Sequence, residues 1–163
     1  MNEKNNVFEP PSDLSLVLTR VFAAPRKLVF EACTQKEHLD QWMAPRGFTI
    51  PSSGGDFREG GKWYCLMIAP NGERYPVSGI YQKIVPDELI IMTHAWEGDD
   101  GKPEHETTAT LRFEDAGDGK TKVTLEQSIF KSVESRNGHM GGWTECFDKL
   151  EELLAILQAG KNS

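Results

Sequence analysis

Six apolar residues, Met140, Trp143, Phe147, Leu150, Leu154 and Leu157, recur near the C-terminus at alternating steps of three and four. That spacing places all six on one stripe of a helix and predicts a helix over roughly residues 132–158, with Gly160 as its stop. The chain before it has a different period. From Phe48 onward, short segments alternate apolar and polar, and turn chemistry separates them at Gly54-Gly55, Gly60-Gly61, Asn71-Gly72, Pro86-Asp87, residues 99–101 and residues 115–119. Period two marks strands with one buried and one wet face. A long helix with one apolar stripe can bury it in one place, across that sheet.

The faces can be assigned residue by residue. Ile90, Met92, His94 and Trp96 share one side of a strand, and Trp63, Cys65 and Met67 one side of another. Ala109, Leu111 and Phe113 form a third set, Val123 and Leu125 a fourth. Lys62, Arg112, Glu114, Lys122 and Glu126 fall between them, on the wet face. Asn71-Gly72 reads as a two-residue hairpin in which both turn positions need positive φ. Hairpin-linked strands imply an antiparallel meander.

Upstream, residues 14–22 are rich in Leu, Val and Thr and read as a strand. Pro25 suits the first turn of a short helix carrying Leu28, Val29, Ala32 and Cys33. A second short helix is expected over residues 36–41, ending near Trp42. Residues 1–13 read as a loose polar leader, and residues 14–158 as one domain without repeat or interior linker. At 163 residues the chain can bury a core without disulfides or metal.

Charge and composition exclude several functions. A formal net charge of -7 argues against nucleic-acid binding, which needs basic clusters. It also disfavours docking to an anionic membrane surface. Residues 1–6 have no apolar core of a signal peptide, and no apolar run approaches a membrane span, so neither secretion nor membrane insertion is expected. Three separated cysteines, Cys33, Cys65 and Cys146, indicate neither a disulfide framework nor a zinc site, and a reducing cytoplasm is the simplest location.

Several stretches resemble a known family: Arg20-Val-Phe-Ala-Ala-Pro25, His38-Leu-Asp-Gln-Trp42, Asp56-Phe-Arg-Glu-Gly-Gly-Lys-Trp63, Gly79-Ile-Tyr-Gln-Lys-Ile-Val-Pro86 and Met140-Gly-Gly-Trp143. In this order they resemble the Bet v 1/START-like superfamily and, within it, the branch named for the activator of Hsp90 ATPase. The resemblance implies an α+β helix-grip fold. A seven-stranded curved antiparallel sheet would wrap around a long C-terminal helix, with two short helices after strand 1. It does not imply one activity, because the superfamily holds carriers, receptors, cyclases, self-resistance proteins and the co-chaperone.

Few residues carry explicit chemistry. The glycine pairs lack the Lys and the strand–helix setting of a phosphate loop. His38, His94, His105 and His139 show no metal-ligand spacing, so neither a metal nor a cofactor is expected. Cys65 and Cys146 read as small apolar fillers. No catalytic constellation is legible. His94, on the buried face, needs a partner; it can orient a ligand, transfer a proton, or bond a neighbour and do no more. Tyr81 can turn its hydroxyl to a ligand or to water.

The expected cavity wall comprises Trp42, Trp63, Met67, Tyr81, Met92, His94, Trp96, Leu111, Phe113, Met140, Trp143 and Phe147. Gly138, Gly141 and Gly142 each cost ~1 kcal/mol against Ala in a helix. They either open space over the sheet or permit close packing. Three functions follow. A small apolar or aromatic ligand bound in the cavity leads. A cyclase-, aromatase- or hydrolase-like enzyme using the same space, and a co-chaperone-like contact with a chaperone, are the alternatives. The chain is expected as a monomer or homodimer.

Overall fold

The computed structural model describes residues 7–8 and 13–161. Its elements are β1 (Val7–Phe8), β2 (Leu16–Phe22), α1 (Arg26–Ala32), α2 (Lys36–Trp42), β3 (Thr49–Gly55), β4 (Lys62–Ile68), β5 (Arg74–Val85), β6 (Leu89–Glu97), β7 (Pro103–Gly117), β8 (Lys120–Ser128) and α3 (Val133–Lys161). The strands form one antiparallel sheet in the order β1-β2-β8-β7-β6-β5-β4-β3. β3 to β8 are the expected meander, and β2 closes against β8 with Leu18 opposite Leu125. With α3 gripped by the sheet and two short helices after β2, the architecture is the α+β helix-grip fold.

The seven expected strands gain a neighbour. Val7 pairs with Thr19 and Phe8 with Leu18, so among the described residues the sheet has eight strands. Two apolar residues among polar ones are too short a run to announce a strand; the free edge of β2 supplies the partner. The remaining residues of the expected leader, 1–6 and 9–12, lie outside the described residues.

Three turn and cap readings differ from the structure. The hairpin at Asn71-Gly72 is a three-residue loop, because Pro70 occupies the first turn position and only Gly72 is left-handed, at φ 90°. The Gly72 N–H donates to Ala69 O at 2.9 Å, and the Ala69 N–H donates to Glu73 O at 2.9 Å. Gly54-Gly55 is no turn; both residues end β3, opposite Tyr64 and Trp63. Gly160 lies inside α3, which runs on to Lys161. At the other end, the Ser132 hydroxyl accepts the Ser135 N–H at 3.0 Å and caps the helix.

The inward face matches the period-two assignment. Trp63, Cys65, Met67, Ile90, Met92, His94, Ala109, Leu111, Phe113, Val123 and Leu125 are all buried, and Lys62, Arg112, Glu114, Lys122 and Glu126 are exposed. The C-terminal half of α3 closes the core. Phe147 meets Phe22 at 5.5 Å and Trp42 at 6.4 Å between ring centroids. An arginine also sits on this face. Arg20, 0 % exposed, lies 2.9 Å from Asp148 and stacks within about 6 Å of the Phe22 and Phe147 rings. The aromatic sandwich and the carboxylate compensate the burial of its charge.

Candidate functional site

The N-terminal half of α3 carries Gly138, Gly141 and Gly142. A Cβ added at Gly138 or Gly141 would meet nothing within 4 Å, and one at Gly142 only Pro45, at 3.9 Å. Gly138 and Gly142 line a cavity of ≈ 740 Å³ beneath the helix, whereas Gly141 is exposed and lies outside that lining. Its roof is Ser135, Gly138, His139, Gly142, Trp143 and Cys146 of α3; its floor is Trp63, Met67, Val77, His94 and Trp96 of the sheet; Met43, Pro45 and Phe48 form one wall. A smaller recess of ≈ 120 Å³ continues toward α2 and β3. Met43, Trp63 and Trp143 belong to both spaces and separate them.

The wall residues expected from sequence divide between these spaces. Trp63, Met67, His94, Trp96 and Trp143 line the large cavity. Trp42, Tyr81, Met92 and Leu111 line the recess, with Trp63 and Trp143. Phe113, Met140 and Phe147 line neither. Phe113 packs on Phe30 of α1 at 5.2 Å and Phe147 fills the core. Met140 packs against the core from a position turned away from the roof, whose residues fall at 135, 139, 142 and 146, a second stripe of helical steps.

Several backbone and polar features hold the walls. Trp63 lies opposite Gly79 in the β4–β5 ladder. A Cβ at Gly79 would come within 2.5 Å of Trp63 Nε1 and 1.9 Å of Thr93 O, so the indole can lie flat over the sheet only because residue 79 is glycine. The Trp63 indole N–H is buried without a hydrogen-bond partner. Trp143 is set from below: its indole N–H donates to Gln127 Oε1 at 2.8 Å, the Gln127 amide donates to Thr107 Oγ1 at 2.8 Å, and that hydroxyl donates to His94 O at 3.0 Å. This buried chain ties α3 to β8, β7 and β6. Sequence reasoning passed over Gln127 and Thr107; the available signal was a glutamine at the next inward position after Val123 and Leu125.

His139 was read as one of four scattered histidines, yet it joins roof to floor. The Trp96 indole N–H donates to His139 Nε2 at 2.8 Å, and His139 Nδ1 meets Ser135 O at 2.7 Å. Nε2 must therefore accept and Nδ1 must donate, which defines the neutral tautomer. Burial lowers its pKa, against the raising effect of the Ser135 carbonyl. His94 is 5 % exposed, inside a cage of Trp63 at 5.8 Å, Trp96 at 5.4 Å and His139 at 5.8 Å. Burial pulls its pKa down to about 3, so the ring is uncharged at neutral pH.

Other titratable groups are suppressed in the same way. Burial pushes the Tyr81 phenol up to about 12 and the Cys65 and Cys146 thiols up to about 12; the Cys33 thiol is also raised. All three thiols are free and buried. His94 and Tyr81, the two candidates for proton transfer, line different spaces. Charge is confined to the rim of the large cavity, where Arg74, Glu97, Glu104, Lys131 and Glu134 stand. Among the described residues, no three His, Cys, Asp or Glu side chains are grouped to hold a metal, and no helix is long and apolar enough to cross a membrane.

A curved antiparallel sheet gripping one long helix, with an aromatic cavity under that helix's glycine-rich start, defines a helix-grip domain of the Bet v 1/START-like class. More narrowly, residues 23–155 match the family described as activator of Hsp90 ATPase homolog 1-like protein, and the chain belongs to that family. Its fold is similar to the crystal structure of the AHSA1 protein from Silicibacter pomeroyi, at TM-score 0.79 and 28 % identity over 87 % of this chain and 98 % of that one. A Nitrosomonas europaea protein is similar at TM-score 0.76 and 28 % identity, covering 91 % and 98 %. A Chromobacterium violaceum protein shares the fold at TM-score 0.79 and 24 % identity, covering 88 % and 98 %. No curated protein matches the chain.

Proposed function

We propose that this protein binds a small, largely apolar or aromatic molecule in the cavity between the sheet and the first half of α3, to carry, sense or sequester it. One observation carries the reading: ≈ 740 Å³ of aromatic-lined space lies between the sheet and the first half of α3, and two of the α3 residues lining it, Gly138 and Gly142, have no side chain to occupy it. With the two lining glycines, Gly138 and Gly142, the helix start is less stable than with alanines there by about 2 kcal/mol in total. A chain with no use for the space gains stability by filling it. The volume lies within the ~300–1,000 Å³ typical of small-molecule sites. Neutral histidines and suppressed thiols favour binding over turnover.

Native mass spectrometry of protein purified from its own host tests this. A co-purified apolar molecule, lost in Gly138→Leu protein of unchanged fold, is the expected result. A clean apo mass, together with equal uptake of aromatic probes by wild type and Gly138→Leu, would contradict the reading. The contact with an Hsp90-type chaperone that the family description suggests would then be the account to test.

A further inference from the structure

Among the described residues, two hydrogen bonds tie side chains of the first half of α3 to the sheet. At the inner one, the Trp143 indole N–H donates to Gln127 Oε1 at 2.8 Å. The outer one lies a turn earlier, where the Trp96 indole N–H donates to His139 Nε2 at 2.8 Å. The two ties differ in kind. Neither Trp143 nor Gln127 titrates, so the inner tie is indifferent to pH. His139 titrates, and its two bonds admit one protonation state. An indole nitrogen only donates, so Nε2 must accept, and Nδ1 must donate to Ser135 O at 2.7 Å. An imidazolium carries N–H on both nitrogens and would set a donor against the Trp96 donor. His139 and Trp96 face each other across the large cavity, as roof and floor, and both also line a recess of ≈ 40 Å³ shared with Glu104 and Lys131.

We propose that the His139–Trp96 hydrogen bond is a latch opened by protonation of His139, so that the cavity holds its occupant at neutral pH and releases it on acidification; this goes beyond the ligand-binding reading above and rests on it. The ionisable groups around the ring are His94 and Glu97 on β6, Glu104 and His105 on β7, Lys131 ahead of α3 and Glu134 on it. In the latched state burial holds protonation back and the Lys131 charge adds to it, against the opposing effect of the Ser135 carbonyl. His94, beside it, is uncharged in this range. Once the latch opens, the ring meets water and titrates near the ordinary histidine value of about 6.5. The open state therefore takes up the proton first. The latch is fully present above that value and is lost as pH falls below it. The carboxylates of Glu97, Glu104 and Glu134 on the rim offer the freed imidazolium acceptors in place of Trp96. The inner tie at Trp143 stays closed and confines the opening to the outer end of the helix.

Calorimetric titration of the full-length protein with 2-naphthol, uncharged throughout, at pH 7.5 and pH 5 reads the latch. The wild type is expected to bind about tenfold more weakly at pH 5, the worth of one good hydrogen bond. His139→Gln supplies an acceptor for Trp96 with no titrating proton, and Trp96→Phe removes the donor from the other side. In each variant the affinities at the two pH values should be nearly equal, and having both guards against one that fails to fold. A second readout needs no ligand. The Trp96 indole N–H resonance of the free wild type should move as pH falls from 7.5 to 5, and should stay in place in His139→Gln. If wild type and variants lose affinity equally, or the wild-type Trp96 resonance ignores pH, the latch is overturned while the cavity reading stands. If 2-naphthol binds the wild type at neither pH, the ligand-binding reading fails for aromatic molecules, and the release role fails with it.

Discussion

Acidification separates a buried neutral His94 from a solvated one. The unfolded ring titrates near the ordinary histidine value of 6.5, and burial pulls the folded ring down to about 3. The folded pKa is depressed, so the unfolded state binds the proton first. The histidine's contribution is therefore fully present above pH 6.5 and is lost as pH falls from there toward 3. At pH 5 the unfolded ring is 1.5 pH units below its pKa, which corresponds to about 2 kcal/mol of stability lost relative to pH 7.5. Any folded value below about 4 gives the same figure, because the folded ring is then neutral at pH 5. The measurement is equilibrium urea unfolding at the two pH values, read by tryptophan fluorescence, on wild type and His94→Phe. Groups remote from residue 94 are common to both proteins and cancel in the comparison, and His139→Gln in both backgrounds removes the one histidine in contact with it. The wild type is expected to lose about 2 kcal/mol more than the variant between pH 7.5 and 5. Equal losses would refute the claim that His94 is held uncharged by burial.

Three further outcomes follow from the geometry. Gly79→Ala drives a Cβ to 1.9 Å from Thr93 O and displaces the Trp63 indole, and chemical denaturation should show at least about 2 kcal/mol of destabilisation. Gln127→Leu leaves the Trp143 indole N–H without its acceptor and the Thr107 hydroxyl without its donor. A cost of about 2–3 kcal/mol in urea unfolding and a loosened Trp143, seen as changed near-UV dichroism, are expected. Cys33, Cys65 and Cys146 should resist a thiol reagent at pH 8 in native protein and all react in urea; fast native labelling of any of them would contradict its burial.

Much of the fold was legible because it rests on periodicity. Period two from Trp63 to Leu125 and the three–four steps from Met140 to Leu157 both express a buried face, and burial is what the residues record. The errors lie where local chemistry overrides pattern. Pro70 converts a two-residue turn into three, and Gly160 lies within the helix with no left-handed φ of its own. The cavity was legible only in part. Glycines announce missing volume but not whether a neighbour fills it, and that depends on how far α3 stands from the sheet. The same limit explains the side chains assigned to the wrong space: Phe113 and Phe147 face inward as expected, but α1 and the core reach them first. His139 and Gln127 went unread because a polar residue's role is set by partners distant in sequence, Trp96 and Trp143.

The central claim is that the space under the glycine-rich start of α3 is a binding cavity. The four tryptophan indole N–H resonances report on it directly, and Trp42 serves as an internal reference, since its N–H is locked to Ala32 O at 2.8 Å and it lines only the small recess. Proton–nitrogen correlation spectra during titration with 2-naphthol should show Trp63, Trp96 and Trp143 shifting together and saturably while Trp42 stays in place. No saturable shift, or shifts that persist unchanged in Gly138→Leu protein, would contradict the account.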